Sequence, residues 1–120
     1  MQPIQRIRYA ERIERALALV ETRTREGEPP ALADVASQAA LSEYHFHRIY
    51  RLMTGETVAA TIERVRLAGA LPVLETEGIM AATGQSGYST SQGFARAMRK
   101  RVGASPSELA ADADRLAAVG

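Results

Sequence analysis

Apolar residues recur at helical spacing from near the start of the chain. Ile7, Ala10, Ile13, Leu17 and Val20 follow one another at intervals of three and four, one stripe of a helix expected from about Gln5 to Arg25. The opposite face alternates Arg and Glu, as a solvated face does. Gly27, then Pro29 and Pro30, should end this helix, because glycine accepts the left-handed cap conformation and proline cannot continue the helix.

A shorter pattern follows. Leu32, Val35 and Ala36, with Ala39 and Leu41 after them, predict a short helix and a tight turn ending at Ser42, whose hydroxyl can cap the next helix. In that helix, within "SEYHFHRIYRLMTG" at residues 42–55, Phe46, Ile49, Tyr50 and Met53 share an inward face. Tyr44, His47, Arg48 and Arg51 are left on the outward one. Two short helices around a tight turn have the layout of a helix-turn-helix. A longer helix from about Thr57 to Thr76 should follow, offering Val58, Ile62, Val65 and Leu67. Pro72 predicts a kink or an early stop near Leu71, since an interior proline removes a hydrogen bond and clashes with the preceding turn, at a cost of about 3 kcal/mol.

The stretch "TSQGFARAMRKRVG" at residues 90–103 echoes the first. At an offset of 48, Phe46 meets Phe94, Arg48 meets Arg96, Ile49 meets Ala97, Tyr50 meets Met98, Arg51 meets Arg99 and Gly55 meets Gly103. Upstream the offset is 47, pairing Leu32 with Ile79, Ala40 with Gly87 and Leu41 with Tyr88, so the second turn is expected to be one residue longer. The chain therefore reads as two related helix-turn-helix subdomains, 1–56 with the first helix and 77–112, joined by a linking helix at 57–76 and followed by a tail at 113–120. Gly103 stops a helix, and Ser105-Pro106 should open a terminal one. About seven helices and an all-α fold are expected.

Composition agrees with helices: the chain of 120 residues is 46% hydrophobic and 5% aromatic, without tryptophan, and rich in Ala, Leu, Arg and Glu. The absence of cysteine removes disulfide scaffolds and thiolate zinc sites and suits a reducing cytoplasm. The amino-terminal segment has no signal-peptide pattern, and no apolar run approaches the roughly 20 residues of a membrane span. A cytoplasmic protein is expected. Net charge is +1, but its distribution is uneven. Between Ile79 and Ser107 lie Arg96, Arg99, Lys100 and Arg101 and no acidic residue, so a nearly neutral chain can present a basic face.

The segments "LADVASQAALSEYHFHRIYRLMTG" and "GYSTSQGFARAMRKRVGASPSEL", in this order and separation, resemble the DNA-binding domain of the AraC/XylS family of bacterial transcription regulators, with coverage from about Ile7 to Leu109. The resemblance implies two helix-turn-helix subdomains, each placing its second helix in the major groove of double-stranded DNA. It also implies base reading by Tyr44, His47 and Arg48 in the first and by Thr90, Ser91, Gln92 and Arg96 in the second. Arginine can grip guanine O6 and N7, and glutamine adenine N7 and N6. Ser42, Arg51, Arg99 and Lys100 are the expected phosphate contacts. One chain would cover an asymmetric site as a monomer. Contact with RNA polymerase is a family-level expectation. Many relatives carry an additional effector-binding or dimerisation domain, for which these 120 residues have no room; the chain is expected to be either a short stand-alone regulator or the DNA-binding part of a longer protein whose effector domain lies outside it.

The sequence departs from the family pattern where an Ile-Ala pair is expected and Ala82-Thr83 stands, followed by Gly84. These residues bury less surface, so the second unit is expected to be loosely folded or rotated, with Gly84 near an irregular helix end. The rival reading is a helical protein-interaction module whose second unit has drifted from DNA reading. His45 and His47 point in different directions and no further ligand completes a metal shell; His45 is read as a packing or phosphate-facing side chain. Tyr44 could rest on the protein surface or touch a thymine methyl, while Tyr88 and Phe94 belong to the core. No acid pair, nucleophile-base arrangement or phosphate-cradling loop is visible, so neither an enzyme nor a cofactor is expected.

Overall fold

A computed structural model describes the backbone of residues 3–119 and the side chains of residues 8–112. Among the described residues the structure is all-α, with helices α1 (Pro3–Arg25), α2 (Leu32–Gln38), α3 (Glu43–Thr54), α4 (Val58–Glu77), α5 (Ile79–Ser86), α6 (Ser91–Val102) and α7 (Pro106–Val119). The residues assigned to a tail thus continue the terminal helix to Val119. Ile7, placed in the first apolar stripe, lies outside the described side chains. The chain forms two compact units, Met1–Ile62 and Glu63–Gly120.

In the first unit α1, α2 and α3 pack on one another. Ile13, Ala16 and Val20 of α1 meet Val35 and Ala36 of α2 and Phe46, Ile49 and Tyr50 of α3, with Val58 from the start of α4 and half-buried Met53 and Ile62 against them. The inward faces expected for α1 and α3 are therefore the buried ones. Gly27, at φ 85°, ends α1, and its amide donates to the Thr24 carbonyl while that of Glu28 donates to Arg23. The same closure ends α2 with an alanine: Ala40 has φ 58°, its amide donates to Ser37 and that of Leu41 to Ala36. Both are the paired closing bonds that follow a left-handed residue after a helix.

A buried polar chain fixes the far side of this core. The Tyr50 hydroxyl, fully buried, shares a hydrogen bond with Thr61 Oγ1, which donates to Glu56 Oε1 at 2.8 Å. Pairing matters here, because a buried hydroxyl left without a partner costs about 1–3 kcal/mol.

In the second unit α5, α6 and α7 pack together around Leu67, Ala70 and Leu74 of α4, Ala82, and Phe94, Ala97 and Met98 of α6. Two expectations are corrected, the early stop weighed at Pro72 and the irregular helix end at Gly84. Helix α4 runs through Pro72 to Glu77 without the early stop. Ala68, four residues back, is exposed like Pro72, so water can satisfy the carbonyl that loses its partner. Helix α5 is unbroken from Ile79 to Ser86. Gly84 sits exposed within it, with nothing within 4 Å of where a Cβ would stand, while Ala82 and Ser86 are buried. A glycine on a solvated face costs about 1 kcal/mol without ending the helix. The helix ends instead at Gly87, φ 82°. Ser86 ties this turn by donating to the Thr83 carbonyl at 2.6 Å and accepting from the Tyr88 amide at 3.2 Å. The unit thus has an apolar core of its own.

Candidate nucleic-acid interface

Helices α3 and α6 are built alike. Each has 12 residues and starts on a hydroxyl cap, Ser42 accepting from the His45 amide and Thr90 from the Gly93 amide. Each stops at a left-handed glycine, Gly55 at φ 78° or Gly103 at φ 84°, whose amide closes on Arg51 or Arg99. Caps and stops stand 48 residues apart, whereas the left-handed turn residues Ala40 and Gly87 stand 47 apart. The extra residue therefore lies between Gly87 and Thr90, as the slipped repeat predicts.

On α3, Tyr44, Arg48 and Arg51 are exposed and fall within about 60° of arc at 100° per residue. Arg48 Nη1 donates to the Tyr44 hydroxyl at 3.3 Å, and its guanidinium carbon lies 5.8 Å from the ring centroid. Neither Arg48 nor Arg51 has a carboxylate partner among the described residues. His47 borders the same open surface as Tyr44, Arg48 and Arg51. It is half-buried beside a hollow lined by Pro30, Leu32, Val58 and Ile62. His45 packs edge-on against Tyr9, with centroids 5.9 Å apart, in keeping with a packing role. The sequence reading missed Leu52, an exposed apolar residue next to this face; its position one turn beyond Arg48 was the available signal.

On α6, Ser91, Gln92 and Arg96 are exposed, and Arg96 has no partner among the described residues. The cations further along differ from those of α3, because each lies against a carboxylate. Arg99 is 3.6 Å from Glu108 and Lys100 4.0 Å from Glu63, and Arg101 Nε donates to Glu63 Oε1 at 2.7 Å. The Arg99 and Glu108 side chains are mostly exposed, where such a pair contributes about 0–1 kcal/mol and exchanges readily for another anion. Glu63, which sequence reasoning did not single out, thus neutralises part of the basic cluster. Around it, Arg66 lies over the Tyr88 ring at 5.3 Å. Burial pushes the Tyr88 phenol above its ordinary value, helped by Glu63 and opposed by Arg66 and Arg101.

No group of three or more His, Cys, Asp or Glu side chains that could hold a metal occurs among the described residues. No described helix is long and apolar enough to cross a membrane.

The sequence model of a family described as a helix-turn-helix domain matches residues 35–112, well over half of the chain. The HTH-type transcriptional regulator Rv1931c of Mycobacterium tuberculosis (strain ATCC 25618 / H37Rv) is 31% identical over 88 residues, which cover 72% of this chain and 34% of that relative. The chain thus spans about a third of that relative's length. Among solved structures, the DNA-binding domain of AdpA, described as the global transcriptional factor and crystallised with a target DNA, superposes with a TM-score of 0.64 at 24% identity. The match covers 87% of this chain and 90% of that one. At that identity the likeness concerns the fold.

Proposed function

The chain belongs to the helix-turn-helix family of the AraC type, and on that premise we propose that it is a transcription regulator that binds double-stranded DNA in a sequence-specific way. The observation that carries this reading is a repeated one: two capped, glycine-stopped helices each present an exposed arginine at the same position, Arg48 and Arg96. A structural surface has no need to repeat that arrangement, whereas reading two groove segments does.

In this reading α3 and α6 enter adjacent major-groove segments about one duplex turn apart, roughly 34 Å. Arg48 and Arg96 read guanine edges and Gln92 an adenine edge. Ser91 adds a hydroxyl beside them. Ser42 and Thr90 already accept helix amides, so each has its hydroxyl proton to offer, to a phosphate and to a base edge respectively. Tyr44 borders the Arg48 contact, and His47 serves the groove wall from its flank. Arg51 binds phosphate directly, while Arg99 and Lys100 do so by exchanging Glu108 and Glu63 for the backbone. Because the two faces carry different residues, a single chain covers an asymmetric site.

Selection of bound duplexes from a random pool, at two salt concentrations, tests the proposal. It predicts an enriched site with two different segments about 10 base pairs apart and weaker retention at the higher salt. Enrichment of one short segment would confine base reading to one helix. No enrichment at either salt would overturn the proposal in favour of a helical module for protein partners.

A further inference from the structure

Tyr44 is 73% exposed, so it contributes little to the first unit's core. Its structural engagement is with Arg48, one helical turn on, through the hydroxyl at 3.3 Å and the ring face at 5.8 Å. One of the five guanidinium N–H groups is used in this bond, which leaves enough for the two that a guanine edge requires. The positions equivalent to Tyr44 and Arg48, counted from the caps Ser42 and Thr90, are Gln92 and Arg96. There the same spacing holds no aromatic ring, and no bond joins the two side chains.

From this difference we infer that Tyr44 is a positioning residue, which holds the Arg48 guanidinium in place before DNA arrives and makes the first unit the more discriminating reader. A long side chain that must be immobilised on binding weakens the contact; one already held does not. Arg96, without such a support, orders itself on contact and tolerates more variation in the base it meets. The inference rests on the DNA-reading proposal above and assigns an unequal division of specificity between its two helices.

The test measures, for the full chain, the affinity ratio between a selected duplex and duplexes substituted at the base pair assigned to Arg48 or to Arg96. Tyr44→Ala is expected to lower the ratio at the Arg48 position about three- to tenfold and to leave the ratio at the Arg96 position and the urea midpoint unchanged. Tyr44→Phe, which keeps the ring and loses the hydroxyl, should fall between. Gln92→Tyr should raise the ratio at the Arg96 position. In an Arg48→Ala background, Tyr44→Ala should have no further effect on the ratio. An unchanged ratio in Tyr44→Ala, an equal loss on every duplex, or a further loss in the Arg48→Ala background would each overturn the positioning role. If the wild-type chain discriminates at neither position, it is the DNA-reading proposal that falls; if it discriminates and Tyr44→Ala matches it, the positioning role alone falls.

Discussion

The first unit fixes its second helix with a buried phenol, and the second unit fixes its own with a thioether. Tyr50 and Met98 stand at the same place in the repeat and are both fully buried, but Tyr50 is tied through Thr61 to Glu56, whereas Met98 fills space among Phe94, Leu67 and Leu74. One position earlier Ile49 faces its core where Ala97 faces the other. The second unit therefore has less apolar bulk on α6 and no counterpart to the tyrosine bond at that position. At its surface, Glu63 and Glu108 draw in Lys100, Arg101 and Arg99. The same backbone plan is thus held by hydrogen-bonded specificity in one unit and by adaptable packing with surface charge in the other. A shared outline of caps and stops accommodates two different interiors.

Removing the shared anchor should have the largest effect. Phe46→Ala and Phe94→Ala each delete a buried ring, exposed by 0% and 1% respectively, and should each cost about 3–5 kcal/mol, read from urea midpoints. A small loss for Phe94→Ala alone would break the comparison by showing the second core to be soft. The next effect separates the two solutions. Thr61→Val leaves the Tyr50 hydroxyl without that partner and should cost about 1–3 kcal/mol, while Met98→Leu should stay below about 1.5 kcal/mol; equal losses would erase the distinction between a polar and an apolar lock.

The smallest effects concern the turns. Gly87→Ala would place a Cβ 3.1 Å from Arg66 Nε at φ 82° and should lose about 1–2 kcal/mol. Ala40→Gly, at φ 58°, should gain up to about 1 kcal/mol, the relief of strain offset in part by glycine's greater freedom when unfolded. Thermal or urea midpoints of the pair decide whether the two turns do the same work.

Local signals in the chain were sufficient for the helices, the caps at Ser42 and Ser105, the glycine stops at Gly27, Gly55 and Gly103 and the one-residue slip between the repeats, because each depends on residues a few positions apart; the Thr90 cap of α6 was not singled out. The outward placement of Tyr44, Arg48 and Arg51, and through the repeat of Arg96, was legible for the same reason. The early stop weighed at Pro72 and the irregular end placed at Gly84 did not occur, because the cost of each residue depends on which side of the helix meets water, and both lie on an exposed side. The half-burial of His47 depends on α2 and the start of α4 closing beside it, which spacing within α3 does not reveal. The pairing of Arg101 with Glu63, 38 residues away, and of Tyr50 with Thr61 came only with the folded chain.

The most direct test of the account compares Arg48→Ala with Arg96→Ala on a selected duplex and on every single-base variant of it. Each variant protein is expected to lose about 1–3 kcal/mol of discrimination at one base pair, the two base pairs being different and lying in different groove segments, with the larger loss for Arg48→Ala. Equal losses spread over all positions, or the same base pair affected by both, would contradict it.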